Sequence, residues 1–521
     1  QKLFLARDHI GQKPLFYAQE GDNFLFGSEV KAILAVSEEE RAIDYEAIHH
    51  YLSLRFIPSP YTMLHHIRKL PPGHTLVWQN GRLSLNRYWQ LSFRDKLELS
   101  ESAFLQGLRG KLVETVESHL VSDVPVGAFL SGGMDSSMIV ALMAKDLQRQ
   151  PQTFAVGVEE QDFNELPYAK IVAGHYGTCH VERRVQSDLI RLLPQIVWHL
   201  DEPSDPIAAC MFHAAALASQ HVKVVLGGDG GDELFAGFDR YAGLGYVDAY
   251  AHVPYPIRQH LIAPVLAHIP DSFTYKSTTQ KLRWLHQLAQ LPTAGQRYAE
   301  ATCYFRFNHD DKRHLFGDSA WQMVRHLQSA DVIVQQFNQA PADTVLDRML
   351  YTDFMTRLPE HSLMLTDRMT MAHSLEARSP FLDHELVSYL AAFPGHLKIR
   401  GRQLKYILRK LAKDYLPREI VEREKQGFMF PVAYWFRHEL YPFIEHYLLD
   451  SYFVREGIFQ KAEVERLLEE HRQSRVDHHV RLWMLLNLEL WRQITIEQCD
   501  LETVRERLVS YVPTGSAVYP V

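Results

Sequence analysis

Between residues 126 and 226, short apolar runs alternate with helical segments, and this alternation restricts the fold more than any other feature. The runs are Val126 to Leu130, Thr153 to Val158, His180 to Val185 and Val222 to Leu226. Between them, Ser136 to Lys145, Tyr168 to Tyr176 and Leu189 to Leu200 read as helices. Strand and helix in alternation require a parallel sheet covered by helices on both faces, a doubly wound α/β fold. A helix from Glu101 to His119 precedes it, with Phe104, Leu108, Leu112, Val116 and Leu120 recurring every four residues. Upstream, residues 1–90 read as short strands and turns. Phe24-Leu25-Phe26 and Thr75-Leu76-Val77-Trp78 are strand-like, and Pro71-Pro72-Gly73 and Asn80-Gly81 are turn signals. Beyond Asp239 the pattern is helical, with Val464, Leu467 and Leu468 on one helix face and Trp483, Leu486 and Leu490 on another.

At 521 residues the chain has room for about three or four domains. The charge balance, 55 − 63 = −8, gives no general attraction to nucleic acid or to an anionic membrane. No stretch of ~18 apolar residues is free of charge, so no transmembrane helix is expected. Cys179, Cys210, Cys303 and Cys499 are far apart, without zinc-ligand spacing, and are expected to be small buried hydrophobes. The first residues carry no signal-peptide core and no Met, so the chain reads as a fragment or processed product of a cytoplasmic protein.

The sharpest motif is Phe129-Leu130-Ser131-Gly132-Gly133-Met134-Asp135-Ser136-Ser137, between an apolar strand and a helix. Glycines admit a ligand close to the backbone, the helix start offers N–H donors, and three serines add hydroxyls. Together they form a cradle for phosphate or pyrophosphate. No Lys follows the glycines, so this is not a Walker A loop. Asp135 is placed to hold Mg2+ beside bound phosphates. The bland alternative is a glycine-rich turn with Ser caps. A second cluster runs from Val224 through Gly227-Gly228-Asp229-Gly230-Gly231-Asp232-Glu233 to Gly237, and it too follows a strand end, where open α/β sheets bind ligands. Three further clusters are Leu375 to Asp383, Gly401 to Arg409 and Arg423 to Phe428. Each of those, taken singly, reads as a capped helix or a surface charge pair.

The serine- and glycine-lined loop resembles that of the PP-loop ATP pyrophosphatases, which include GMP and NAD synthetases, tRNA-modifying enzymes and asparagine synthetases. In this order all five clusters resemble the synthetase domain of glutamine-dependent asparagine synthetases. Phe4 to Tyr17 and Ser28 to Leu34 resemble the last part of that family's N-terminal glutaminase domain. The resemblance implies a glutaminase remnant over 1–90 and a synthetase domain over 100–500. The latter divides into a nucleotide-binding core over 100–240 and a mainly helical part over 241–500, with 501–521 as a tail. It also implies that roughly a hundred family residues precede Gln1 in the intact protein. Among them would be a Cys nucleophile whose own α-amine acts as base, so this chain as given is not expected to hydrolyse glutamine. Asp229 stands where some members have Glu.

The activity so implied is two-step amide synthesis. ATP adenylates the β-carboxylate of aspartate, pyrophosphate leaves, and ammonia attacks to give asparagine and AMP. Ser131, Gly132, Gly133, Ser136 and Ser137, with Gly227 and Gly228, would hold the phosphates. Leu130, Val156 and Gly157 would line the adenine pocket, ordinary sheet core being the alternative for the two apolar side chains. Asp135 and Asp232 would ligate Mg2+. Asp229 is the candidate general base, and Lys405 would stabilise charge on phosphate or oxyanion. Glu233, Arg378 and Asp383 are expected to be scaffolding. The adjacent pairs His49-His50, His65-His66 and His478-His479 are set aside as metal ligands, because sequence neighbours do not face one site. The partners so implied are aspartate, ATP and glutamine or ammonia, with a homodimer the assembly common in that family. Competing readings keep the chemistry on another carboxylate (a sugar acid or peptide), close a ring as β-lactam synthetases do, or reduce the chain to a nucleotide-sensing scaffold.

Overall fold

The computed structural model describes residues 2–158, 164–185, 189–203, 205–269, 278–303, 306–423 and 432–511. In the first segment, strands β1 (Lys2–Ala6), β2 (Phe16–Glu20), β3 (Asn23–Gly27), β4 (Arg68–Lys69), β5 (His74–Gln79) and β6 (Arg82–Arg87) form two antiparallel sheets, ordered β1-β5-β6 and β3-β2-β4. The helix Glu101–His119 follows. Ser100 caps it by accepting from Ala103 N, and Phe104, Leu108, Leu112 and Val116 are buried. Four-residue apolar spacing has become one packed stripe.

The segment that alternates strand and helix forms the expected doubly wound sheet. Strands β7 (Val126–Phe129), β8 (Gln152–Val158), β9 (Cys179–Val185), β10 (Val224–Leu226) and β11 (Glu376–Arg378) are all parallel, in the order β11-β10-β7-β8-β9. Strand alternation divides the core between two faces. Phe154, Val156 and Val225 enter one hydrophobic cluster, whereas Ala128, Leu130, Ala155 and Leu226 enter the other.

Three elements differ from their sequence reading. The helix expected from Ser136 to Lys145 is an α-helix, Met134–Ala141, that widens into a π-turn, Leu142–Asp146. β10 starts at Val224 rather than Val222, because Val222 N still bonds to Ala218 O of the preceding helix. β11 was not anticipated at all. Of the four cysteines, Cys210 and Cys303 are buried as expected, but Cys179 is exposed and Cys499 half-buried. Cys179 opens β9, the edge strand of the sheet.

Residues 1–90 share a core with the C-terminal helices. Phe16, Ile48 and Leu64 lie in the same cluster as Leu482 and Trp491. Cations from this segment also meet carboxylates of the later chain: Arg7 with Glu360 (3.3 Å), Lys13 with Asp367 (2.6 Å), Lys31 with Asp201 (3.0 Å), and Lys69 with Glu202 (2.7 Å) and Glu360 (3.0 Å). Arg55 pairs with Asp205. Burial pushes the Asp205 carboxyl up, but Arg55 and His361 outweigh it and hold the group below its ordinary range. These pairs fix the segment's orientation over the helical run Leu358–Met371.

Candidate active site

In the sheet order the strands β7, β8 and β9 run one way, and β10 returns to the other side of β7. The crevice at such a reversal is where open α/β sheets bind ligands. Both glycine-rich motifs leave the adjacent carboxyl ends of β7 and β10 at that point.

After β7 the chain turns at Gly132, whose φ is +73°. A Cβ there would lie 2.5 Å from Tyr168 Cβ and 2.6 Å from Ala169 N, so glycine lets the loop press against the helix Leu166–Tyr176. Ser131 Oγ accepts from Gly133 N (3.2 Å) and lies 3.1 Å from Ser136 Oγ. The helix Met134–Ala141 begins at Gly133 with no side-chain cap. Its first turn directs the positive end of the helix at the crevice. Ser137 Oγ is fully buried and has no hydrogen-bond partner among the described residues. A buried hydroxyl left in that state is costly unless a ligand completes it.

The loop after β10 packs directly on this one. Gly227 N extends the ladder to Arg378 O (2.9 Å). A Cβ on Gly228 would meet Ser136 N at 2.9 Å, and one on Gly231 would meet Asp135 Cγ at 2.7 Å. The crowding of glycines and carboxylates noted in the sequence is therefore a contact surface between two loops.

Four predicted residues converge here. Lys405 Nζ pairs with Asp135 and lies 2.7 Å from Asp232 Oδ1. Burial would lower its pKa, but the two carboxylates outweigh burial and hold the ammonium above its ordinary range. Gly237 makes room for the pair, since a Cβ there would lie 2.1 Å from both Lys405 Cε and Asp232 Oδ1. Asp229 accepts from Thr366 Oγ1 (3.3 Å) and from Ser379. Burial, with Asp135 adding to it, pushes the Asp229 carboxyl up to about 6 against those hydrogen bonds. Glu233, 3% exposed, is pushed up to about 7 by burial and by Asp232. Asp135 and Asp232 offer hard oxygen donors from two separate loops around one positive charge, in a cradle that Cβ atoms at Gly231 and Gly237 would fill. That donor set fits a small divalent cation.

The remaining predicted residues surround this centre. Leu130 (1% exposed) and Val156 (7%) enter opposite hydrophobic clusters, so their side chains belong to the core and only their main chain faces the crevice end of the sheet. The space beside Gly157 holds Asn164 and Leu166. Arg378 pairs with Glu376 (2.7 Å) and donates to His119 O and Val121 O, while Asp383 caps the helix His384–Ala391. Of the fifth cluster, Arg423 is described and 424–428 lie outside the described residues. Arg423 donates to Glu165 (2.8 Å) and reaches Gly132 O (3.5 Å) over the Tyr168 ring.

Ser379 lies in the third cluster without having been singled out there, and Thr366 and Glu165 went unrecognised in the sequence. Thr366 sits in a helix with no motif around it; Glu165 precedes a helix, where it reads as an ordinary capping position. The histidines also differ from expectation, because His49 and His50 both reach Ser329 Oγ (3.1 and 3.2 Å). A hydroxyl between them lets two sequence neighbours share a partner. Among the described residues no group of three or more metal-ligating side chains is present. Among the described residues no helix is long and apolar enough to cross a membrane.

Comparison with known proteins accords with this geometry. The asparagine synthase family matches residues 107–493, and the glutamine amidotransferase domain matches residues 1–89. The chain is 31% identical to asparagine synthetase [glutamine-hydrolyzing] 1 of Bacillus subtilis, over 95% of this chain and 76% of that protein. It is 31% identical to a putative asparagine synthetase [glutamine-hydrolyzing] of Mycobacterium bovis, over 97% and 76%. A protein of Penicillium rubens named Amidase chyE is 27% identical over 84% of this chain and 68% of its own length. Spanning both matched regions, with the two motif loops at one sheet crevice, the chain belongs to the asparagine synthase family of ATP-dependent amidotransferases.

Proposed function

We propose that this chain makes asparagine from aspartate, ATP and ammonia, through a β-aspartyl adenylate. The observation that carries the reading is the convergence of Asp135, Asp232, Lys405 and Asp229 on the loop Ser131–Ser137 at the sheet's reversal point. The serine hydroxyls, the loop N–H groups and the helix N-terminus hold the phosphates in line for attack by the acceptor carboxylate. Asp135 and Asp232 would hold Mg2+, which when bound neutralises charge on the phosphate oxygens. Lys405 supplies a positive charge where the phosphate or tetrahedral oxyanion gains negative charge.

Ammonia attack creates a cationic tetrahedral species that must lose a proton. Asp229, ionised above about pH 6, accepts it, with Thr366 and Ser379 holding the carboxylate in place. Ammonia drawn from glutamine by a glutaminase site joined to residues 1–89 would serve the same centre. A second reading keeps the chemistry and changes the acceptor carboxylate; the relative named Amidase chyE favours it loosely.

The test is pyrophosphate release across a panel of carboxylates with ammonium as donor. AMP, pyrophosphate and asparagine are expected with aspartate. AMP formation with another carboxylate and not with aspartate would move the reading to a different acceptor, and ADP formation would end both.

A further inference from the structure

We propose that Lys405 is a built-in counter-ion for the Asp135–Asp232 pair, which a divalent cation must displace before the ammonium is free to act on substrate. This rests on the reading of those carboxylates as the metal site and adds the order in which the site is filled.

The two carboxylates come from different loops, one after β7 and one after β10. Their side chains are 21% and 22% exposed, whereas that of Lys405 is 7% exposed. Lys405 is thus the most enclosed member of the trio and sits between the two acids. Like charges brought this close cannot both stay ionised without a cation between them, and Nζ provides one through both ion pairs.

The backbone is built to hold it there. Lys405 has φ +53° and ψ 36°, the left-handed region that non-glycine residues avoid, and it immediately precedes the helix Tyr406–Ala412. Such a conformation persists where its surroundings over-determine it, and it concentrates at functional sites. Just before it, a tight turn is closed by two backbone hydrogen bonds between Arg400 and Gln403 (3.1 and 3.0 Å), with Gly401 at φ +61°. Arg409 N bonds to Lys405 O (2.8 Å) on the other side. The main chain is pinned, so any movement falls to the flexible side chain.

The packing sets the competition. Lys405 Cε and Asp232 Oδ1 both occupy the space a Cβ would take at Gly237, and the Asp135 carboxyl occupies that at Gly231. A cation seated on both carboxylates takes over the contacts Nζ now makes. With the ammonium seated between the two carboxylates, a dication added beside them would face its positive charge directly. Metal therefore binds the free protein weakly. A nucleotide changes this, because its phosphates give the displaced ammonium a new partner, so metal and nucleotide load together and Lys405 reaches the reacting groups only in the loaded site.

The experiment uses Mn2+ alone, without nucleotide or acceptor, titrated by electron paramagnetic resonance into the full chain. Lys405→Gln is expected to bind Mn2+ at least about 10-fold more tightly than the wild type, since the competing charge is gone. Asp232→Asn should lose that binding. Melting temperature gives a second readout: Lys405→Gln should melt lower without metal and recover more than the wild type does with Mg2+. Should Lys405→Gln not fold, the wild type decides. Acetylation of Lys405, followed by mass spectrometry, is expected to rise about threefold at saturating Mg2+ as the ammonium leaves its two partners. Equal or weaker Mn2+ binding by the folded Lys405→Gln variant, or labelling of Lys405 that metal leaves unchanged, would overturn the proposal. None of these measurements consumes ATP, so they can fail while amide synthesis stands, or succeed while it falls.

Discussion

Replacing Asp229 by Asn separates what this carboxylate costs the fold from what it contributes to chemistry. Burial raises its pKa from the ordinary 3.8 to about 6. At about 1.4 kcal/mol per unit, the folded protein pays at most about 3 kcal/mol to keep the group ionised, and about 1–3 kcal/mol after discounting for its partial exposure. Between pH 4 and 6 the folded state keeps a proton that the unfolded chain has released, so stability falls as pH rises through that window. The penalty is complete above about pH 6 and absent below about pH 4. Asp229→Asn is therefore expected to be more stable than the wild type by about 1–3 kcal/mol at pH 8, with the difference vanishing toward pH 4. Urea unfolding of both proteins at matched pH measures it. The same variant should lose about 10²- to 10⁴-fold in ammonium-dependent amide formation, the usual contribution of a general base. Wild-type turnover should rise with pH through about 6 and then level. A variant that keeps its turnover, or that is less stable than the wild type at pH 8, would refute the assignment and its energetics together.

Asp135→Ala should abolish carboxylate-dependent pyrophosphate release; ammonia-fed turnover that survives the change would remove Asp135 from the phosphate site. Gly237→Ala should lower activity at least about 10²-fold with little change in melting temperature, because its Cβ, 2.1 Å from both Lys405 Cε and Asp232 Oδ1, would displace these two side-chain ends. Steady-state assays at saturating ATP and Mg2+ would show it, and normal turnover would contradict the packing argument. Arg423→Met takes from the buried Glu165 carboxyl the guanidinium that offsets its burial and should cost up to about 3–5 kcal/mol in urea unfolding. Adding Glu165→Gln should restore much of that loss, and failure of this rescue would show that the pair's charges are not what binds the two segments.

The readable parts of this chain are those where a single periodicity dominates. The helices Glu101–His119 and Leu189–Leu200 have the bounds their apolar spacing predicts, because burial of one face decides both. β8 and β9 begin within one residue of their predicted starts, β8 as a run buried on both faces. β11 escaped because its three residues, Glu376-Ala377-Arg378, carry two charges and are too few to establish an alternation. It is a strand through pairing with β10, a contact some 150 residues away along the chain. The loops of the site could be read as motifs, since strand, glycines and helix occur together in sequence. How they meet could not. Nothing in the spacing of Asp135, Asp232 and Lys405 shows that one ammonium lies between two acids. Thr366 beside Asp229 belongs to a helix, Met364–Met371, that carries no motif pointing to that contact. The adenine-pocket expectation for Leu130 and Val156 came from the resemblance alone, and their side chains enter opposite hydrophobic clusters, a division that alternation along a strand produces.

Transfer of an isotopic label tests the adenylation step directly. With aspartate carrying 18O in its β-carboxylate, plus ATP and ammonium, an acyl adenylate requires one 18O atom to end in the phosphate of AMP for each asparagine formed. That is the expected result. Label recovered in inorganic phosphate alongside ADP, with AMP unlabelled, would contradict it and place the nucleotide's cleavage at a different phosphorus.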